Sequence, residues 1–387
     1  MSEEPSSPLV MHVLPKNKHG GISLQVLDVA RSLSDRGYQN VLVFPDENGD
    51  FNSYAANQGI QSERFPYQMP KEFDSLGSLL SNIRWVLGFV FSVWTIRKRI
   101  NKISPDIVHL NGLLVLQPAV AAAVEDTDIV WYLVSDIYPN WLVRLIVPFI
   151  NYVSSEVVLI SESNRSYYQQ DGRDVSVIPG TIDLSRLTDE SVSEDRKGEF
   201  YEKYGIELGH PVVLTLAKVN EVKNQKSVVK AIAEMDREVQ YLVVGPKQDR
   251  QYASELEALA ESVGVGDHVY VTGFVEDKTA ALAIADVFVL PSVGEGTPLA
   301  IIEAMKSETP VIASRVGGVP EMLANGDAGQ LVSPDSIEQL QTSIEDYLSD
   351  PELVRRHTGV ALTRVTKEYG IKSVTDQYVS VYNTLEQ

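Results

Sequence analysis

One segment of the chain, from Ser292 to Met305 (SVGEGTPLAIIEAM), has the residue types expected of a phosphate site. It follows the apolar run VFVLP and opens a stretch of helical period. Thr297 and Pro298 suit the cap and the first turn of a helix, whose N-terminus presents free N–H groups and a positive dipole end. Because proline has no N–H group, we expect the donors to a phosphate to be Thr297 and Leu299.

Two carboxylates flank this expected phosphate site. Glu295 lies between Gly294 and Gly296 in the turn, and Glu303 follows within the helix. Carboxylates beside an anion repel it, so we expect both to accept hydrogen bonds from the hydroxyls of a sugar and a ribose. The alternative is that Glu295 caps a turn and Glu303 is solvated, although the apolar neighbours of Glu303 disfavour this, since unpaired charge on a core-facing helix is costly.

The elements that would position these residues are short β-branched runs alternating with longer stretches of helical period. Among the predicted strands are Val212–Leu216, Gln240–Val244 and Val287–Leu290. Such alternation predicts parallel sheets with helices on both faces, and ligands of such folds bind at the carboxyl ends of the strands. We therefore place the chemistry in the loops that follow strands.

A polar, charge-dense stretch, Leu187 to Gly198, interrupts this alternation. We interpret it as the junction between two Rossmann-like parallel α/β domains, residues 1–187 and 199–368, which would face each other across a cleft. The amphipathic pattern of residues 369–387 predicts a last helix that packs back on the first domain.

Composition excludes several classes of function. The formal net charge of −20 argues against general nucleic-acid binding, which needs a basic face. The chain has no cysteine, so disulfides, thiolate metal sites and cysteine nucleophiles are excluded. The six histidines show no pair at metal-ligand spacing, so we expect no metal site. No GxGxxG motif follows a predicted strand, which counts against a dehydrogenase.

The same segment resembles the Glu-x7-Glu motif of the retaining glycosyltransferases of family 4. The resemblance extends to FVLPS before it and to PVIASRVGGVPEML and GDAGQLVSPDS after it, so it covers most of the second domain and is looser over the first. It implies the two-domain GT-B fold, a nucleotide-sugar donor as substrate rather than a cofactor, and transfer to a hydroxyl acceptor with retention at the anomeric carbon.

The resemblance also assigns roles to residues of the second domain. Glu295 would contact the hydroxyls of the transferred sugar, and Glu303 would hold the ribose hydroxyls. The segment LAKVNEVKNQ is similar to the family's basic loop, which places Lys218 and Lys223 on the donor diphosphate. Two cations there would stabilise the charge that the leaving diphosphate gains, with no dedicated metal needed. The family usually has Arg at position 218.

In the first domain the resemblance points to a glycine pair and a histidine. Gly20 and Gly21 are expected directly after the first strand and before a helix, and they would let the backbone approach the ligands closely. His109 would end a strand, point into the cleft and help to bind the transferred sugar or the acceptor, although a lone histidine at a strand end is more often structural. Ser135 stands where many members have His.

Other functions on this fold stay open at this point. A disaccharide phosphorylase or a nucleotide-sugar epimerase could share the Glu-x7-Glu segment. A non-catalytic glycosyltransferase-like subunit is the third reading, which the joint presence of both glutamates and both lysines disfavours.

Two apolar stretches raise the question of membrane contact. Trp85–Ile96 precedes a basic cluster and is shorter than the roughly 20 residues of a spanning helix, and Trp141–Val153 is interrupted by Arg144 and Pro148. Both could lie in a membrane interface or be helices of the core. The N-terminus lacks the pattern of a signal peptide, so we expect a cytoplasmic protein. If the apolar stretches do touch a bilayer, the protein would be peripheral on the inner face of the cell membrane, with a glycan or lipid-linked acceptor.

Overall fold

A computed structural model describes residues 7–70, 76–134, 138–170, 172, 174–187, 192–275 and 278–385. The chain divides into two compact units. The first contains the residues up to Ile182 together with those from Ile371 onward, and the second runs from Asp183 to Gly370. Each is built on a parallel sheet, which confirms the α/β fold class with two Rossmann-like units.

The strands alternate with helices along both units. The strands are β1 Leu9–Val13, β2 Gln39–Pro45, β3 Gln61–Phe65, β4 Ile107–Asn111, β5 Asp128–Leu133, β6 Glu156–Leu159, β7 Ser176–Val177, β8 Val212–Leu216, β9 Gln240–Val244, β10 Val269–Gly273, β11 Val287–Leu290, β12 Val311–Ser314 and β13 Gln330–Val332. The α-helices are α1 Gly21–Ser34, α2 Phe51–Asn57, α3 Leu76–Ile103, α4 Leu116–Val124, α5 Asn140–Val153, α6 Asn164–Tyr167, α7 Glu194–Tyr204, α8 Gln225–Ala233, α9 Arg250–Ser262, α10 Lys278–Ala283, α11 Leu299–Lys306, α12 Val319–Met322, α13 Ile337–Ser349, α14 Pro351–Arg364 and α15 Ile371–Asn383. Shorter turns of 3₁₀-helix are Leu184–Arg186, Glu221–Lys223, Gly266–His268 and Ala324–Gly326, and Val365–Tyr369 forms a π-helical turn.

The sheet of the first unit has the order β3-β2-β1-β4-β5-β6-β7. Helices α3, α4 and α5 share one core with one face of this sheet, and α1 and α15 pack on the opposite face. Alternate residues of β1 show the division, since Met11 and Val13 face the first set of helices and Val10 faces the second. The sheet is therefore covered on both sides.

The last helix, α15, packs on the first unit. Its Asp376 accepts a hydrogen bond from Arg36 at 2.6 Å, and the Tyr382 hydroxyl lies 2.6 Å from Nδ1 of His109. Val374 and Tyr378 are buried in the same core. The chain thus returns to the first unit after it has completed the second.

The sheet of the second unit has the order β10-β9-β8-β11-β12-β13. Its central strands, β8 and β11, are buried at every residue, as continuous apolar runs in a parallel sheet should be. Asp286 joins the starts of these strands, since its carboxylate accepts the Val212 N–H at 2.8 Å. Burial raises the pKa of Asp286, and that hydrogen bond partly opposes the rise.

The boundary between the two units lies earlier in the sequence than the predicted junction, the polar stretch from Leu187 to Gly198. The division lies after Ile182, and residues 188–191 of that stretch fall outside the described residues. Its later part begins helix α7. Ser193 caps this helix by accepting the Arg196 N–H, and Glu194 and Asp195 lie in the first turn, near the positive end of the helix dipole. The high charge density of this later part therefore reflects an exposed helix start.

Helix α3 is longer than the apolar run within it. The run predicted a segment too short to span a bilayer, but the helix has 28 residues, and its part Gly77–Ile103 is long and apolar enough to cross a membrane by length and composition. Polar residues such as Ser78 and Asn82 before the run, and basic residues such as Lys98 and Lys102 after it, continue the helix beyond the run. The prediction that this segment is too short to span a bilayer was therefore wrong.

Candidate functional site

The candidate site lies at the carboxyl edge of the second unit's sheet. The loops that follow β8 and β11 meet there, because carboxyl ends of parallel strands share one edge. The Val293 N–H donates to the Val222 carbonyl at 2.9 Å, and the Gly318 N–H, after β12, donates to the Gly296 carbonyl at 3.1 Å. These backbone bonds hold three strand-end loops together and fix the side chains that they carry.

Lys223 and Glu295 form an ion pair across two of these loops. The Lys223 Nζ lies 2.5 Å from Oε1 of Glu295, and the side chains are 22% and 9% exposed. Lys223 is placed by Asn220, whose side-chain oxygen accepts the Lys223 backbone N–H at 3.1 Å and caps the turn. The residues assigned to the diphosphate and to the transferred sugar are therefore direct neighbours.

Glu303 lies in the middle of α11 and is 8% exposed. Its carboxylate is paired with the Nζ of Lys278 at 3.0 Å. The reading of Glu303 as a solvated charge is thus wrong, because burial next to the apolar core requires a partner for the carboxylate. Lys278 was not predicted from the sequence, although its place after β10, at the same edge of the sheet, is a signal that could have found it.

Lys218 is exposed on the loop that also carries Lys223. The side chain of the buried Gln225 donates to the Lys218 carbonyl at 2.9 Å and so holds the loop against α8. Gly245, with φ of +153°, packs closely against the same loop. A Cβ at this position would lie 2.0 Å from the Ala217 carbonyl oxygen. The shape of the basic loop therefore depends on a glycine of a neighbouring strand end, which the sequence analysis also missed.

The start of α11 differs from the expectation by one position. Pro298 has an extended ψ of 116° and occupies the cap, so the helix begins at Leu299 and Thr297 lies before the cap. The N–H of Leu299 belongs to the first turn, which has no partner within the helix. Gly294 has no atom within 4 Å of where a Cβ would lie, so the fold itself does not require glycine there.

In the first unit, Gly20 and Gly21 stand at the cap and the first residue of α1, separated from β1 by a loop. The expectation that they follow the strand directly was therefore wrong, whereas they do lie at the start of a helix. Gly20 has a φ of −176°, and a Cβ at this position would meet no atom within 4 Å, so neither backbone strain nor packing demands a glycine. Ser135 lies outside the described residues.

His109 was expected at a strand end, but it is the middle residue of β4 and is 2% exposed. It faces the core beneath α15, with its ring 5.3 Å from that of His12. Burial, aided by the nearby His12, lowers the pKa of His109 well below its usual value. The placement was wrong because the strand continues through Asn111; the ligand-binding role of His109 stays a prediction.

The arrangement in the second unit suits a ligand that carries both hydroxyls and negative charge. Two buried carboxylates can accept hydrogen bonds from hydroxyls, and each has a lysine within ion-pair distance. Lysine ammonium groups and the N–H groups at the start of α11 can donate to phosphate oxygens. Among the described residues, no group of three or more histidine and carboxylate side chains is placed to hold a metal ion.

Two family models match the chain in succession. Glycosyltransferase Family 4 matches residues 19–186, and Glycosyl transferases group 1 matches residues 197–359. The second match contains all the residues assigned to the donor in the second unit, from Lys218 to Glu303.

Curated relatives and a solved structure agree with these matches. An alpha-D-kanosaminyltransferase of Streptomyces kanamyceticus is 28% identical over 50% of this chain and 50% of its own length. A GDP-mannose-dependent alpha-(1-6)-phosphatidylinositol monomannoside mannosyltransferase of Mycolicibacterium smegmatis is 30% identical over 45% and 47%. The matched stretches thus span about half the length of these relatives.

The solved structure is that of HepE of Anabaena in complex with UDP. It superposes with a TM-score of 0.81 at 20% identity, covering 98% of this chain and 100% of that chain. At this level of identity the likeness establishes the fold. Taken with the two parallel sheets, it shows that the chain has the GT-B fold, and its two units match glycosyltransferase family models in succession.

Proposed function

We propose that the protein transfers a sugar from a nucleoside-diphosphate sugar to a hydroxyl group of an acceptor, with retention at the anomeric carbon. The observation that carries this proposal is the pairing of Lys223 with Glu295 and of Lys278 with Glu303 at one edge of one sheet. The matched relatives support a donor of this class, since one is named for GDP-mannose and HepE was solved with UDP.

Each side chain has a role that follows from its chemistry. Glu303 accepts hydrogen bonds from the ribose hydroxyls while Lys278 balances its buried charge. Glu295 accepts hydrogen bonds from hydroxyls of the transferred sugar. Lys223 exchanges its carboxylate partner for the diphosphate when the donor binds, and Lys218 adds a second positive charge from the same loop.

The reaction breaks the bond between the sugar's anomeric carbon and the diphosphate oxygen, which keeps the electron pair. A new bond forms between that carbon and the acceptor oxygen, whose proton is released. The lysines and the N–H groups of Thr297 and Leu299 stabilise the charge that develops on the diphosphate. This stabilisation is greatest in the transition state, so the lysines contribute mainly to the rate.

The open space at Gly20 and Gly294 fits the same proposal. A Cβ at either position would meet no protein atom within 4 Å, and neither residue has the positive φ that favours glycine. Because neither residue has a side chain, a ligand can approach the backbone at the start of α1 in the first unit and before α11 in the second. In the first unit, Gly21 and His109 remain candidates for contact with the sugar or the acceptor.

The acceptor in this proposal is a glycan or a lipid-linked sugar with a free hydroxyl. The relative from Mycolicibacterium smegmatis supports this class, since it is named for a phosphatidylinositol monomannoside.

The donor is tested by thermal shift with a panel of nucleoside-diphosphate sugars. We expect one donor to raise the melting temperature of the wild type and to have little effect on Glu303→Ala. Glu255→Ala is the control, because Glu255 is also paired with a lysine of the second unit, at 2.6 Å, but lies on α9, which carries none of the residues assigned to the donor. Stabilisation of Glu303→Ala equal to that of the wild type would contradict the ribose assignment, and formation of a sugar 1-phosphate from a glycoside and inorganic phosphate would indicate a phosphorylase.

A further inference from the structure

Helix α3 exposes a broad apolar face. Its buried side is a narrow stripe that includes Ser78, Asn82, Ile96 and Ile100. Only 11% of its most apolar window is buried in the protein. Large apolar side chains that are 43–79% exposed cover the opposite side: Leu79, Leu80, Ile83, Val86, Leu87, Val90, Phe91 and Trp94. This exposed run extends about 22 Å along the helix at the usual rise per residue.

Helix α5 adds a second apolar stripe on the same side of the first unit. Trp141, Leu145 and Tyr152 are 62%, 69% and 89% exposed, at spacings that place them along one face of the helix. Because the buried sides of α3 and α5 pack on the same face of the sheet, their exposed sides look outward on the same side of the unit. The two stripes together form what we call the α3/α5 face.

Charge on these helices has one sign. The chain carries 53 acidic residues and a net charge of −20, yet neither α3 nor α5 contains Asp or Glu. Helix α3 instead ends in a basic cluster of Arg97, Lys98, Arg99 and Lys102. The Lys98 ammonium lies 3.4 Å from the ring centroid of Trp94, where the apolar run meets the basic end. Aromatic and basic residues beside an exposed apolar face are typical of helices that lie in a membrane interface.

Helix α3 contacts the rest of the first unit along its length. These contacts favour a helix that lies on a bilayer over one that crosses it. Trp85 donates its indole N–H to the Gln68 carbonyl at 2.8 Å, and Ile96 and Ile100 are buried in the core of the unit. Arg97 pairs with Glu125 at the end of α4. A spanning helix would have to leave all these contacts, whereas an interfacial helix keeps them and buries only its exposed side.

We propose that the first unit docks on the surface of an anionic lipid bilayer through the α3/α5 face. The apolar side chains enter the boundary between headgroups and acyl chains, and Lys98 and Lys102 of the basic cluster contact the lipid phosphates. A second copy of the chain is a poorer occupant, because a two-fold contact through this face would bring together helices that carry only positive charge. This inference does not depend on the sugar-transfer proposal, since none of its residues belongs to the donor site.

The test is co-sedimentation with phosphatidylcholine vesicles that contain or lack phosphatidylglycerol. We expect the full-length protein to bind the anionic vesicles, and to bind them less tightly as salt is raised. Lys98→Gln with Lys102→Gln should weaken binding roughly 30-fold, at about fivefold for each charge near the surface. Lys203→Gln with Lys367→Gln, two exposed lysines of the second unit, is the matched control and should bind like the wild type.

The apolar part is tested with Leu87→Ser and Val90→Ser together, compared with Leu208→Ser, an equally exposed apolar residue of the second unit. The double variant should lose most of its vesicle binding and keep the donor's thermal shift, which separates a failure of docking from a failure of the proposed function. A wild type that stays in solution with both kinds of vesicle would overturn the proposal. So would a wild-type dimer that the double variant dissociates in the absence of any vesicle binding.

Discussion

Substitution of Lys223 by Met tests the donor site most sharply. Lys223 and Glu295 pair at 2.5 Å, and the glutamate side chain is only 9% exposed. The change removes a charged donor to the diphosphate, which is worth about 1.5–3 kcal/mol in binding and corresponds to a roughly 10- to 150-fold rise in the Kd of the nucleoside diphosphate. The turnover number should fall further, by roughly 10²- to 10³-fold, if the lysine stabilises charge in the transition state.

The same substitution should also lower stability, because it leaves the Glu295 carboxylate without its cation. We expect a loss of about 1–3 kcal/mol in the free energy of unfolding. Lys226→Met is a close control: Lys226 is 27% exposed, against 22% for Lys223, and pairs with Glu255 at 2.6 Å, but that glutamate is 50% exposed. Its loss should cost about 0–1 kcal/mol and leave donor binding unchanged.

The assay is isothermal titration with the nucleoside diphosphate of the stabilising donor, together with initial rates on that donor. The Lys226→Met protein should match the wild type in both. A Lys223→Met protein that is folded and binds the nucleoside diphosphate with the wild-type Kd would refute the assignment of Lys223 to the diphosphate.

Three further predictions concern the framework. Gly245→Ala should lower the melting temperature and weaken donor binding together, because a Cβ would lie 2.0 Å from a carbonyl oxygen of the basic loop; a variant with wild-type melting and titration would contradict this. Burial lowers the pKa of His12 in the folded protein to about 4, from the usual value of 6.5. Below pH 6.5 the unfolded chain therefore binds a proton on this histidine more readily than the folded protein does. Stability should therefore fall by about 3 kcal/mol from this group as pH drops from 6.5 to 4, and denaturant titrations should show that His12→Gln has a smaller acid-induced loss. Tyr382→Phe removes the hydroxyl 2.6 Å from Nδ1 of His109 and should cost about 1–3 kcal/mol by urea unfolding, whereas Tyr152→Phe, at a residue that is 89% exposed, should cost little.

The strands of the second unit could be predicted closely because the sequence patterns that indicate them are local. The strands Val212–Leu216, Gln240–Val244 and Val287–Leu290 were predicted with the bounds that the structure has, since buried parallel strands are uninterrupted apolar runs. Glu295 and Glu303 were identified from spacing within one loop and helix. Their lysine partners are distant in sequence, and only Lys223 lay in a recognisable segment; Lys278 required the fold.

The first unit shows where sequence patterns were insufficient. β3, with the sequence QSERF, was missed because it is an edge strand with mostly polar residues and pairs only with β2. The burial of His109 was not predicted, because it depends on α15, which returns from the far end of the chain. The length of α3 was underestimated because Ser78 and Asn82, before the apolar run, face the protein, and the exposed basic residues after the run continue the helix rather than ending it.

The central claim is tested most directly by following the stabilising donor by NMR in the presence of hydroxyl acceptors such as simple glycosides and a lipid-linked sugar. Sugar transfer predicts that nucleoside diphosphate appears together with a new glycoside of the same anomeric configuration as the donor, and that Lys223→Met slows both signals equally. A donor that binds but yields no nucleoside diphosphate with any acceptor would contradict the proposal and indicate a non-catalytic subunit, and a product of inverted configuration would contradict the retaining mechanism.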